Sequence, residues 1–332
     1  MKFLTLFLSF LFAIHLPAQQ LSMLSMTNTS SLRGLSVVSD RVVWVSGSGG
    51  TVGLSTDSGI SWNWIQVPRY EKTDFRDIQA FSDSEAVIMG ITQPAVILKT
   101  KDGGKTWIKT FEDSSQSVFL DAMDFSGDKG MLLGDPISSR PFLAETKDRG
   151  DSWTMLRSHL PNMEAGEAFF AASGSNIKWL PIGHFVFVSG GKRSALYIDT
   201  IAKLPLRLMQ GKETTGANSI AVNPSNPNQA FIVGGDFSED SLNAGNAVLI
   251  NLFPLNQELP PAPPHGYRSC VIYLNDKTLI SCGTSGVDIS RDGGKHWKPI
   301  SASGFHVCAK AAGGNIVYLA GPKGKVARLY WK

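Results

Sequence analysis

The sequence predicts an all-β chain folded as a seven-bladed β-propeller, and three observations predict it. An eight-residue pattern occurs four times, at Ser55–Trp62, Thr100–Trp107, Thr146–Trp153 and Ser290–Trp297. Runs of apolar and β-branched residues separated by glycine turns recur in units of 38 to 50 residues, the length of a four-stranded blade. Helical periodicity of any length is scarce, which argues against α/β barrels and dinucleotide folds. A pair of β-sandwiches would use similar strands but would not explain one turn repeated at this spacing.

Each copy of the pattern reads Ser/Thr-x-Asp-x-Gly-x-x-Trp, with Asp57, Gly59 and Trp62 in the first, then Asp102, Gly104 and Trp107, Asp148, Gly150 and Trp153, and Asp292, Gly294 and Trp297. Its chemistry is that of a hairpin. The carboxylate accepts N–H groups of its own turn, the glycine tolerates a positive φ where the chain reverses, and the Trp gives the next strand a large apolar anchor. These twelve residues are therefore assigned to structure rather than to catalysis or calcium binding.

The units follow in order. The first has Ser31–Val37, Arg41–Gly47 and Thr51–Leu54, the second Asp74–Ile78, Ala86–Gly90 and Ala95–Leu98, and the third Val118–Ala122, Gly130–Gly134 and Phe142–Ala144. The fourth and fifth lack the hairpin pattern but keep the strands, with Ala168–Ala171, Phe185–Val188 and Ala195–Ile198, then Ser219–Val222, Ala230–Gly234 and Ala247–Ile250. The sixth regains the pattern after Tyr267–Ile272 and Thr278–Ile280. The seventh has Phe305–Cys308, Ile316–Ala320 and Val326–Tyr330 and then ends, one strand short. Leu21–Met26 supplies that strand from the other terminus and removes the open edge. Seven blades result, with six or eight as the alternative counts. Gly47–Gly50 and Gly190–Gly191 read as turns, and Pro260–Pro264 as a stiff connector.

Composition agrees with a folded, turn-rich chain: 42% hydrophobic and 18% charged residues, with 33 Gly and 17 Pro in 332. Lys2 followed by the apolar run Phe3–Ile14 and by Leu16-Pro17-Ala18 reads as a signal peptide over 1–18, leaving one propeller domain over 19–332. The run is short for a membrane span, which takes about 20 residues. The mature chain is thus expected to be exported, periplasmic or extracellular, without a transmembrane span, and monomeric. A net charge of +3 without a Lys/Arg run indicates no nucleic-acid partner. Three cysteines, Cys270, Cys282 and Cys308, allow one bridge with a spare thiol, or three buried thiols. The six His lack metal-ligand spacing, so neither metal nor cofactor is expected.

In a propeller, the start of each innermost strand shares a face with the turn joining the second and third strands. The patterned hairpins join the third and fourth, on the opposite face. Aligned on the third residue of the first strand, the units register at Arg33, Arg76, Leu120, Phe169, Asn218, Arg268 and His306. Blades one, two, six and seven are consecutive round the ring, so Arg33, Arg76, Arg268 and His306 are expected to converge, with Asp77 and Asp121 orienting the guanidinium groups. Asp135, Arg140, Lys192, Arg193, Asp236 and Lys323 fall on the same face. An arginine cluster in a concavity suits a carboxylate or phosphate, which the guanidinium fork binds bidentately. The other expectation is that these arginines bridge blades through Asp and backbone carbonyls.

The pattern is that of the Asp-box or BNR repeat, and the chain resembles the sialidase-like propeller superfamily. It is most similar to the photosystem II assembly/stability factors, through Thr100–Trp107 and Phe75-Arg76-Asp77. That resemblance implies an exported, non-catalytic assembly or scaffold protein that binds a protein partner or an anionic or carbohydrate ligand, with Arg33, Arg76 and Arg268 in the binding patch. The competing class is a sialidase-like glycoside hydrolase using an arginine triad with Tyr267, Glu164 or Glu167, and Asp77. Against it, the Phe-Arg-Ile-Pro motif of that class is missing.

Overall fold

A computed structural model describes residues 21–25, 29–91 and 93–331, all as strands, turns and bends. The expected signal peptide lies outside these residues. Among them, no helix is long and apolar enough to cross a membrane.

Seven sheets form the seven blades. From the inside outward, blade one is Leu32–Val37, Val43–Gly47, Thr51–Ser55 and Asn63–Gln66, and blade two is Phe75–Ala80, Ala86–Gly90, Ala95–Thr100 and Ile108–Asp113. Blade three runs Leu120–Ser126, Lys129–Ile137, Arg140–Thr146 and Thr154–Met155. Blade six has Cys270–Tyr273, Leu279–Gly283, Gly286–Ser290 and Trp297–Ser301. Blade seven takes Val307–Lys310, Ile316–Ala320 and Val326–Tyr330, and its fourth strand is Leu21–Ser25. That strand pairs antiparallel with the third, Leu21 opposite Leu329 and Met23 opposite Ala327. The two ends of the chain close the ring in one sheet, as the missing strand requires.

The core is divided among the seams. One apolar cluster joins blades one and two around Trp44 and Ile88, another blades two and three around Met89 and Leu132. The sequence of clusters continues round to one that unites blades six, seven and one through Ile280, Leu319 and Val45. Each blade thus buries its two faces against its neighbours, and no blade holds a core by itself.

The four hairpins repeat one hydrogen-bond set. The first hydroxyl accepts the glycine N–H, at 2.9 Å from Ser55 to Gly59 and 3.0 Å from Thr100 to Gly104, and donates to the Asp. The Asp accepts the N–H and the side chain of the seventh residue, at 2.9 and 2.6 Å for Ser61 on Asp57. The Ser61 and Thr106 hydroxyls, then their N–H groups, hold Asp57 and Asp102 down to about 2. His296 takes that place in the fourth copy, its Nδ1 2.7 Å from Asp292. Positions four and five both have positive φ, 76° and 83° at Gly103 and Gly104, even where position four is Ser58 or Arg149. Each hairpin bonds to the turn between the first two strands of its own blade, as Ser58 N does to Arg41 O. The hairpins therefore lie on the face away from Arg33.

Each hairpin also packs on the preceding blade. A Cβ on Gly294 of blade six would stand 2.5 Å from Phe231 of blade five, and one on Gly104 of blade two 2.6 Å from Ile65 of blade one. Trp297 packs on Phe231 with ring centroids 5.3 Å apart.

Blade four departs from the expected strands, while the three expected for blade five are found. The inner strand of blade four is Ile177–Trp179, followed by Phe185–Val188, Ala195–Ile198 and Ala202–Pro205. The segment expected there, Ala168–Ala171, instead crosses the strand mouths. Its Glu167–Ala168 pairs with Gly190–Gly191, and Gly190 pairs with Gly216 at the edge of blade five. Blade five is Thr215–Val222, Gln229–Asp236, Ala247–Leu252 and Leu255–Glu258, and its sheet reaches six strands by this addition. Gly190–Gly191 is thus a bridging strand, not a turn. Glycine is required because backbones touch: a Cβ on Gly216 would lie 2.5 Å from the Gly190 Cα.

Trp297 is 5% exposed, so Trp297→Ala should destabilise by about 3–5 kcal/mol, the range for buried aromatic truncations. Thermal or urea unfolding checks this.

Candidate functional site

A β-bulge opens the inner strand of four blades. The pairing register skips between Leu32 and Gly34, Phe75 and Asp77, Leu120 and Ala122, and Ala217 and Ser219. The unpaired residues are Arg33, Arg76, Asp121 and Asn218. A bulge turns its extra residue out of the ladder and re-aims the side chain, so four polar side chains leave the sheets at one level.

Arg33, Arg76, Asn218 and His306 line one cavity of about 500 Å³ with Asp135, Phe119, Phe169, Phe170, Phe237, Tyr267 and Ser269. Arg33 Nη1 reaches Ala172 O at only 3.4 Å, and Arg76 Nε pairs with Asp74 at 2.8 Å. Burial, then the like charge of Arg76, lowers the Arg33 pKa. Both guanidinium groups keep N–H donors beyond these bonds. The opposite wall is aromatic. Phe170 meets Phe237 edge to face at 5.7 Å, and Phe237 meets Tyr267 at 6.2 Å. Phe237 stands 46% exposed at the rim.

His306 Nε2 lies 3.1 Å from Ser31 Oγ. Burial, then the charges of Arg33, Arg76 and Lys325, lower its pKa to about 3. Asp135 accepts the Phe169 N–H at 2.9 Å, and burial raises its pKa.

Arg268 is not with the others. It is 1% exposed, donates to Asp288 from Nε at 2.7 Å and from Nη2, and donates from Nη1 to Tyr267 O and Ser285 Oγ, both at 2.8 Å. The cause is a register slip of one residue. Arg268 N bonds to Gly234 O of the preceding blade as Leu32 N bonds to Gly321 O. Arg268 therefore occupies the inward position of Leu32, and Ser269 is the counterpart of Arg33. A shift of one residue exchanges the two faces of a strand.

The same slip corrects blade three, where Asp121, not Leu120, matches Arg33. Asp121 is fully buried, and burial, then the nearby Asp135, pushes its pKa well above the carboxylate range, opposed by Arg76. It stands behind the cavity wall rather than in it. Asp77 faces away altogether. It accepts the Ile78 and Met123 N–H groups at 2.8 Å, lines a second cavity toward the other end of the channel, and is raised by burial to about 7. The aromatic wall was missed by the sequence reading, because Phe170 and Phe237 sit in loops with no periodic signal.

The residues needed by a sialidase mechanism are not brought together. Tyr267 donates its hydroxyl to Asn218 at 2.8 Å. Glu167 is taken up by Tyr197, Lys203 and Ser189, while Glu164 pairs with Lys203 at 3.0 Å. Rim charges are also paired, Lys192 with Glu213 and Lys212 with Asp236.

Fold and repeated hairpins define the class, a seven-bladed β-propeller with a basic and aromatic cavity at the strand mouths. A family model described as photosynthesis system II assembly factor YCF48 matches residues 62–167. The chloroplastic photosystem II stability/assembly factor HCF136 of Oryza sativa subsp. japonica is 32% identical over 101 residues. The match spans 29% of this chain and 23% of the rice protein. Among solved structures, YCF48 bound to D1 peptide superposes with a TM-score of 0.67 at 16% identity, over 96% of this chain and 97% of that one. YCF48 from Cyanidioschyzon merolae gives 0.65 at 15%, over 93% and 98%. The chain stands close to the photosystem II assembly factor family, as its hairpin pattern and Phe75-Arg76-Asp77 lead one to expect.

Two outcomes are expected. Arg268→Ala leaves buried Asp288 with His265 as its one side-chain partner among the described residues, and should cost about 3–5 kcal/mol in unfolding experiments. The folded pKa of His306 lies below its ordinary 6.5. Between the two values the unfolded chain binds the extra proton, so this group lowers stability as pH falls. His306→Gln should flatten the stability loss between neutrality and about pH 5, read by urea unfolding.

Proposed function

We propose that the protein is an exported, non-catalytic scaffold that holds a segment of a partner protein in the cavity at the strand mouths. The carrying observation is that Arg33 and Arg76 face one cavity whose other wall is Phe170, Phe237 and Tyr267. The guanidinium groups grip a carboxylate, and the rings take an apolar side chain beside it. A partly dehydrated arginine strengthens such a bond, because the cavity lowers the local dielectric. The family likeness supports an assembly role, as does a structural neighbour solved with a peptide bound. Export is inferred from Lys2 and the apolar run Phe3–Ile14.

The test is a peptide array in which a carboxylate, on a side chain or at the chain end, stands beside each apolar residue, with amide controls. Peptides that bind should lose affinity on amidation. Arg33→Ala or Arg76→Ala should weaken them about 10- to 100-fold, the worth of one charged hydrogen bond. Binding that survives both variants contradicts the reading. Turnover of a fluorogenic sialoside, lost in Arg76→Ala, would replace it with a hydrolase.

A further inference from the structure

Three thiols meet beneath the cavity floor, where the inner strands of blades six and seven lie side by side. The Cys270 and Cys308 sulfurs are 3.8 Å apart, and the Cys270 thiol also points at the Cys308 carbonyl, 3.4 Å away. Cys282 is the ladder partner of Cys270. All three are free and at most 2% exposed. Cys270 and Cys308, but not Cys282, line a second cavity of about 430 Å³ toward the far end of the channel, with Ser173, Ser175 and Lys178. A small polar molecule therefore has room beside these two sulfurs.

We propose that Cys270 and Cys308 are a redox site that hydrogen peroxide converts to a disulfide bridging blades six and seven. The two sulfurs are already in van der Waals contact, and a disulfide brings them to about 2.05 Å. Cys270 is the attacking group. Hydrogen bonds from Cys282, then Cys308, pull its pKa down against burial, and Ser175 Oγ lies 3.8 Å from its sulfur. Its thiolate attacks one peroxide oxygen, the O–O bond breaks, and the departing hydroxide takes up the proton that the Cys270 thiol gave up and leaves as water. Cys270 is then a sulfenic acid. The Cys308 sulfur attacks the Cys270 sulfur, the S–O bond breaks, and a second water carries away the hydroxyl and the Cys308 proton. Two thiols are oxidised by two electrons, and one peroxide is reduced to two waters.

The bridge would fix the strands at the Ser269–His306 contact, where Ser269 Oγ donates to His306 O at 2.6 Å and both residues line the upper cavity. The site is thus placed to stiffen the binding face, but its chemistry does not depend on what that face binds.

The experiment treats the purified chain with hydrogen peroxide, quenches it, and counts thiols in denaturant with peptide mapping. The untreated chain should show three thiols and the treated chain one, with Cys270 linked to Cys308 and all three restored by reductant. Cys282→Ser should go from two thiols to none, and Cys308→Ser should form no Cys270 bridge. Mapping of the unsubstituted chain decides the matter even if a variant fails to fold. Three persistent thiols, a bridge through Cys282, a sulfinic acid as the main product, or a soft metal ion held by the thiols in native mass spectrometry would each overturn the proposal.

Discussion

The pairing of Leu21–Ser25 with Val326–Tyr330 is the contact on which the ring depends. Every blade buries its two faces on neighbours, so an unclosed ring would expose two apolar faces and the open edge of a three-stranded sheet. The closing strand also seats the first hairpin. Each hairpin packs on the blade before it, and for blade one that blade is the seventh. A Cβ on Gly59 would stand 2.5 Å from Leu24 of the closing strand. Arg328 on the adjoining strand donates to Ser58 O of the same hairpin at 3.1 Å. Closure and hairpin stacking are one continuous set of contacts.

That continuity explains why the fold was legible in the sequence. The hairpin pattern names groups that satisfy one another locally, so it needs no tertiary knowledge to be read. One participant escaped it: the seventh position supplies a second donor to the Asp in all four copies, as Ser61, Thr106, Ser152 and His296. Blades four and five lost the pattern, and there the reading went astray at Ala168–Ala171. The segment containing Ala168 joins a network at the strand mouths instead, with Glu167 accepting from Tyr197 at 2.7 Å and Lys203 at 2.8 Å. Its members are 30 and 36 residues from Glu167, and no short motif announces a contact of that range.

The site was legible only in part, and the reason is a single residue of register. Strands alternate with a period of two, and a bulge adds one residue without a mark in the sequence. Arg33 and Arg76 were aligned correctly because both blades carry the bulge at the same place. Arg268 resembles them by residue type, yet sits on the opposite side of its strand, where Asp288 neutralises it in the blade interior. An arginine at an inward position must find a buried carboxylate, and Asp288 at 0% exposure supplies it. The cue available in the sequence was Ser269-Cys270, a polar residue followed by a small one, as in Arg33-Gly34 and Asn218-Ser219.

The two faces of the ring differ in what they leave unspent. On the hairpin face the Asp carboxylates accept backbone N–H groups and hydroxyls of their own turns, and this set holds Asp57 and Asp102 near 2. Such a carboxylate has little remaining capacity for a ligand, and removing its partners would open the turn that packs on the next blade. At the strand mouths the bulges free Arg33 and Arg76 from the ladder without dedicating a full set of acceptors to them. Their positive charges lie close enough to lower His306, so each guanidinium stands in an environment that a negative group would relieve. The scaffold holds two like charges near enough to repel one another. A carboxylate placed between them would relieve that repulsion, so the proposed binding rests on the ring that enforces the proximity.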